Sequence, residues 1–227
     1  MQTFYPLRKM FPLVVGLTVL VAVGLFLFYT YIAQAAVTPT VTSLITQATT
    51  AKASSNPAAA IKVVIAVNAA ETLAAITVVA TDSASTSFAP ATDLAALGTG
   101  DTSGIAIYND VNGSVSGSFD ATDTVVTLSS ASAFSSGSTT LTLASPGAAG
   151  TYYIVYRTAA AAAHNHSFVL TIPANGIATS TNSPTITAVT TSPIAVDTTA
   201  PTVNANMTGP ANDPTGVNRV PISTFIH

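Results

Sequence analysis

From Ala60 onward, short runs of β-branched and aromatic residues alternate with turn residues, and no stretch after residue 40 sustains a helical period of useful length. Strands are predicted over Ile61–Val67, Ala75–Ala80, Ile105–Tyr108, Thr124–Leu128, Thr139–Leu143, Tyr152–Arg157, Ser167–Ile172 and Thr185–Val189. In Thr124–Leu128 and Thr139–Leu143, threonine and aliphatic residues trade places, the pattern of a strand with one packed face and one wet face. Tyr152–Tyr156 is bulky throughout and predicts a central strand, with some of its tyrosines anchoring the core. Glycine at Asn112-Gly113, Ser136-Gly137, Pro146-Gly147 and Asn175-Gly176 marks turns. The alanines at 159–163 are too few to hold a helix alone and read as a loop or a single helical turn. The fold class is therefore all-β, a sandwich over 60–196.

The N-terminal pattern is different. Arg8 and Lys9 precede an uncharged run from Met10 to Ile32, and Phe11–Ile32 as a helix would be about 33 Å long, enough to cross a bilayer core of about 30 Å. Small residues come next at Ala33-Gln34-Ala35, ahead of Pro39. Positive, apolar and small, in that order, is the pattern of a secretory signal, so residues 1–35 are a signal peptide or an uncleaved membrane anchor. Either way the chain beyond Ala36 is expected to be exported. Residues 36–59, rich in Thr, Ala and Ser, read as a linker or an edge strand.

Composition narrows the function. Only 7% of the 227 residues are charged, with 6 basic against 9 acidic side chains, which makes nucleic acid an unsuitable partner. With no cysteine, thiolate catalysis, disulfides and Cys-ligated zinc are excluded. Between Lys62 and Arg157 every charged residue is acidic: Glu71, Asp82, Asp93, Asp101, Asp110, Asp120 and Asp123. Such a stretch can attract Ca²⁺ or simply keep a neutral β protein soluble.

Asp110, Asn112, Ser114, Asp120 and Asp123 place five oxygen-bearing side chains in one segment and form the candidate calcium loop. They do not form an EF-hand, because Val115 and Ala121 occupy the positions of its glycine and final glutamate. The competing reading is a polar hairpin turned at Asn112-Gly113. His164 and His166 would share a face if extended, but two imidazoles do not make a metal site, and an exposed loop is the plainer reading. Gly113-Ser114-Val115-Ser116-Gly117 lacks the central serine of a nucleophile elbow, and Glu71 is the only glutamate, so no hydrolase pattern stands out. A sugar platform would have to use Tyr108, Tyr152, Tyr153 or Tyr156, since there is no tryptophan.

The segment Asp197-Thr198-Thr199-Ala200-Pro201-Thr202-Val203, with Gly209-Pro210-Ala211 and then Val217 to Ile226 after it, resembles the opening of bacterial Ig-like domains of the S-layer and surface-protein type. The phrase from Ile105 through Asn112-Gly113 to Phe119-Asp120-Ala121-Thr122-Asp123 is similar to loops of exported bacterial repeat domains, which can hold calcium. The resemblance implies an Ig-like β-sandwich behind an N-terminal signal or anchor helix, with residues 197–227 beginning a second Ig-like domain that the chain does not complete. It implies a non-catalytic cell-surface or envelope protein for structure or adhesion. Its partners would be other envelope proteins or surface glycans, and the membrane through residues 11–32 if these are retained. The alternative is a calcium- or carbohydrate-binding accessory module of a secreted enzyme.

Overall fold

A computed structural model describes Val15 and residues 17–23, 38–53, 56–66, 71–97, 101, 103–111, 117–180 and 184–199. The remaining residues, among them Ala33–Ala35 of the cleavage motif and all of 200–227, lie outside the described residues. Residues 17–23 are helical and exposed. Among the described residues no helix is long and apolar enough to cross a membrane.

The strands form two stacked sheets, so the chain is an all-β sandwich as its periodicity indicates. The first sheet has the order β1 (Thr40–Ser43), β3 (Ala58–Ile65), β8 (Gly150–Tyr156), β5 (Ile105–Asn109) and β6 (Thr124–Val125). The second is built on β4 (Leu73–Asp82), which pairs with β7 (Ser138–Gly147), β10 (Ile177–Thr179) and β9 (Ser167–Ile172). Beyond β9 come β11 (Val189–Thr190) and β12 (Ile194–Asp197), and β2 (Thr49–Lys52) closes the edge against β12. Residues 36–59, read as a linker or an edge strand, thus supply an edge strand to each sheet, and the sandwich starts at Thr40.

Side-chain alternation builds the core between the sheets. Ile61, Val63 and Ile65 of β3, Ile105 and Ile107 of β5, and Tyr152, Ile154 and Tyr156 of β8 face Ile76 and Val78 of β4, Leu141 and Leu143 of β7, Phe168, Leu170 and Ile172 of β9, and Ile194 and Val196 of β12. In β7 the alternation is clean: Thr139, Leu141 and Leu143 are buried and Thr140 and Thr142 exposed. The Thr124–Leu128 run keeps only two residues in a strand, and Val125 points to solvent at 44% exposure. Its partner β5 engages it at Tyr108 and Asn109 and through the Ile107 carbonyl, which accepts from the Val126 N–H at 2.8 Å, after which Leu128 bridges to Leu143 of the other sheet.

Two glycines are required by the backbone. Ser136 and Gly137 both have positive φ, 50° and 78°, and Ser135 and Ser138 exchange backbone hydrogen bonds of 2.8 and 3.0 Å. This is the two-residue hairpin turn in which the second position favours glycine. Gly104 has φ +74°, and a Cβ there would lie 2.5 Å from Leu94 Cβ and 2.9 Å from Ala95 N. Gly104 can lie against Leu94 and Ala95 only because it has no side chain.

The aromatic end of the core is the most sensitive packing site. Phe168 is fully buried, stacks on Phe88 at 4.5 Å between ring centroids and meets Tyr156 edge-on at 5.7 Å. Phe168→Ala should lower unfolding free energy by about 3–5 kcal/mol, whereas Val125→Ala should change it by about 0.5 kcal/mol or less. Urea denaturation monitored by far-UV circular dichroism checks both.

Candidate functional site

Of the candidate calcium loop, Asp110 follows the end of β5, and residues 117–123 bring Phe119 onto the outer face of the first sheet. Lys62, Tyr153 and Tyr108 are register partners across β3, β8 and β5 and form one row on that face. Phe119 lies over this row, edge-on to Tyr108 at 5.3 Å and to Tyr153 at 5.8 Å between centroids. Tyr153 is thereby fully buried although it points away from the main core. Lys62 Nζ donates to the Gly117 carbonyl at 3.0 Å, and the Gly117 N–H donates to Asp110 Oδ2 at 2.7 Å. The Tyr153 hydroxyl also donates to Asp110 Oδ2, at 3.3 Å.

Asp120 and Asp123 organise the return of the loop. Asp120 Oδ1 accepts from the N–H and the hydroxyl of Thr122 at 2.7 and 2.5 Å, and Asp123 Oδ2 accepts from the Asp120 N–H at 2.9 Å. Of the three loop carboxylates, Asp110 is the one that hydrogen-bonds the phenol of Tyr153. Burial is the main reason the Tyr153 hydroxyl is pushed up to about 12, and the Asp110, Asp123 and Asp120 charges and the hydrogen bond to Asp110 push it the same way. Asn112 and Ser114 lie outside the described residues. Among the described residues no group of three or more His, Asp or Glu is placed to hold a metal ion.

Carboxylates serve as loop anchors elsewhere too. Asp82 Oδ1 accepts from the N–H groups of Ala84 and Thr86, each at 3.0 Å, and Oδ2 from Ser87 and Phe88 at 2.6 and 3.3 Å. The loop it closes holds Ser85 and Ser87 at positive φ, 55° and 66°, and delivers Phe88 to Phe168. Asp101, buried, accepts from the N–H groups of Leu97, Ser103 and Gly104 and from the hydroxyls of Ser103 and Ser132. Asp197 Oδ1 takes the N–H and hydroxyl of Thr199. Asp101-x-Ser103, Asp120-x-Thr122 and Asp197-x-Thr199 are one local motif, in which the side chain caps its own turn two residues on. That spacing is visible in the sequence and is the signal by which these anchors could have been found.

The histidines do not act as a pair. Asn165 between them has φ 64°, so the segment is a turn rather than an extended strand. His166 Nδ1 lies 2.8 Å from Oδ2 of Asp93, which is 1% exposed and also accepts from the N–H groups of Ala89 and Ala163. His164 turns to the other side, where its Nδ1 accepts from the Thr198 N–H at 3.3 Å and lies 3.5 Å from Asp197. The Asp93–His166 contact spans 73 positions and carries no local pattern. Neither a protein-family model nor a curated protein matches this chain.

The carboxylates and the buried phenol give two pH responses. The N–H groups around Asp82, those of Thr86 and Ala84 first, hold its carboxyl well below the usual carboxylate range, against an opposing effect of desolvation. The stability it contributes is present above its unfolded pKa of about 3.9 and is lost as pH falls through the depressed folded value. Asp82→Asn should lower Tm at pH 7 and flatten the acid limb of a Tm-against-pH curve below about pH 4. Tyr153 has the opposite sign: its stability is full below about pH 10 and is lost as pH rises through about 12. Tyr153→Phe should make alkaline unfolding in that window less steep, read by circular dichroism.

Proposed function

We propose that this chain is an exported, non-catalytic surface module, a sandwich that holds neighbouring parts of a longer envelope protein apart and presents loops to other surfaces. One observation carries the reading. Strands β2 and β12, the second and the last, run side by side in the same direction from Thr49 opposite Ile194 to Lys52 opposite Asp197. The chain therefore enters at one end of the sandwich and leaves at the other, the geometry of a unit inserted in series. The Arg8-Lys9, apolar and Ala33-Gln34-Ala35 order supports export, and the Ig-like resemblance of residues 197–227 supports a second module after this one. The aspartates of the acidic stretch act as loop fasteners, which suits a scaffold that keeps its shape without turnover.

Expressed in a bacterium with a tag after His227, the chain should expose that tag to external protease on spheroplasts. A variant lacking residues 1–35 should retain the tag inside, and protection of the tag in both would overturn the reading. The alternative, a calcium- or carbohydrate-binding accessory module, draws on the negative charge that Asp110, Asp123 and Asp120 together exert at the Tyr153 hydroxyl. Calorimetry with Ca²⁺ decides that point. Saturable heat lost in Asp120→Ala/Asp123→Ala would favour the alternative, and no heat at millimolar Ca²⁺ leaves the loop as a clasp over Tyr153.

A further inference from the structure

β2 and β12 form the only parallel pairing among the described strands; every other strand pair is antiparallel. At its ends the Thr49 N–H donates to the Pro193 carbonyl at 3.0 Å and the Ala53 N–H to the Asp197 carbonyl at 3.2 Å. Because ladder donors alternate along a strand, the Ala51 N–H faces β12, while those of Thr50 and Lys52 face away. The pair is seated as well as bonded: Ala51, Ile194 and Val196 are buried, and the Lys52 carbonyl, on the outward side, takes the Thr158 hydroxyl.

Tension applied at the two ends of the sandwich pulls β2 toward its start and β12 toward its end. In a parallel pair those directions are opposite and lie along the strands, so the ladder bonds are loaded together in shear. An antiparallel pair pulled from one end opens one bond at a time. We propose that the β2–β12 pair is the force-bearing latch of this domain, which sets the tension the sandwich withstands when the chain is pulled at Thr38 and Thr199. Its biological meaning rests on the reading of the chain as a spacer in series, while the latch itself is a property of the fold.

The chain contains no cysteine, so introduced thiols are unique handles. Thr38→Cys with Thr199→Cys in the full chain, held in detergent micelles between two beads, loads the latch in shear. Thr38→Cys with Ala148→Cys is the control geometry. The register of Thr40 with Val64 and of Val64 with Thr151 puts both of those handles at the same end of the first sheet, so that pair unzips it. At one pulling speed the first geometry should rupture at about twice the force of the second or more, because rupture is governed by the unfolding barrier along the pulled direction. Ala51→Pro removes the central latch donor and should lower the first force toward the second, whereas Thr50→Pro, whose N–H faces away, should leave it nearly unchanged. Equal forces in the two geometries overturn the proposal, as does a folded Ala51→Pro chain that ruptures at the original force. Should Ala51→Pro fail to fold, the two geometries on the otherwise unsubstituted chain still decide. The outcome is independent of the protease experiment: a latch in a chain that is not exported would sink the surface reading alone, and an exported chain without direction dependence would sink the latch alone.

Discussion

Strand β8 has no exposed face, and the rest of the sandwich is arranged to make that possible. Tyr152, Ile154 and Tyr156 point into the space between the sheets, while Tyr153 and Val155 point outward, yet all five are buried. In a two-layer sandwich the outward side of a strand ordinarily meets water. Here a third, partial layer is needed, and the loop after β5 supplies it by bringing Phe119 onto Tyr108 and Tyr153. A buried phenol must also find an acceptor, and Asp110 provides one. Asp110, one of the residues that suggest a calcium loop, thus serves as the acceptor for the phenol that Phe119 covers.

The way loops are fastened is a consequence of the shortage of charge. Loop backbone has N–H groups that no strand partner satisfies, and each one left dry costs about 1–3 kcal/mol. A chain with 9 acidic residues in 227 has few strong acceptors, and the described aspartates stand at strand ends, in the connecting loops and, for Asp93, at the end of a helical turn. Asp82 gathers four N–H groups and so holds two serines in a left-handed conformation they would otherwise avoid. Asp93 binds the short helical turn Pro90–Asp93 to the loop that carries His166. Removing an aspartate would therefore release a loop, not a surface charge.

Periodicity made the sheets legible and left the connections obscure. The alternation of Thr139–Leu143 and the uniform bulk of Tyr152–Tyr156 correspond to an edge-facing strand and to the central strand of the first sheet. Strands β10 and β12 escaped because they are three and four residues long, too short to display a period, and in residues 36–59, read as a linker or an edge strand, β1 and β2 are equally short. Their existence is set by pairing with distant strands, Thr40–Ser43 with β3 and Thr49–Lys52 with β12. The same holds for the site. Asp120-x-Thr122 is local and readable, whereas the contacts of His166 with Asp93 and of Lys62 with Gly117 exist only once the sheets have formed.

With so few charges, the outer face of the second sheet stays wettable by another route. Thr77 and Thr140 share a hydrogen bond of 3.0 Å across β4 and β7, and Thr171 and Thr190 share one of 2.9 Å across β9 and β11. Each hydroxyl keeps further lone-pair or donor capacity for water while its methyl group packs on the pleated surface, so threonine serves strand propensity and solvation together. The edge strands TVTS and TTAK continue this composition, and their shortness and the lysine in β2 limit pairing with another chain. A sandwich built this way depends little on ionic strength for solubility, because surface hydroxyls are not screened as charges are. Its remaining acids are then free to be committed to the loops.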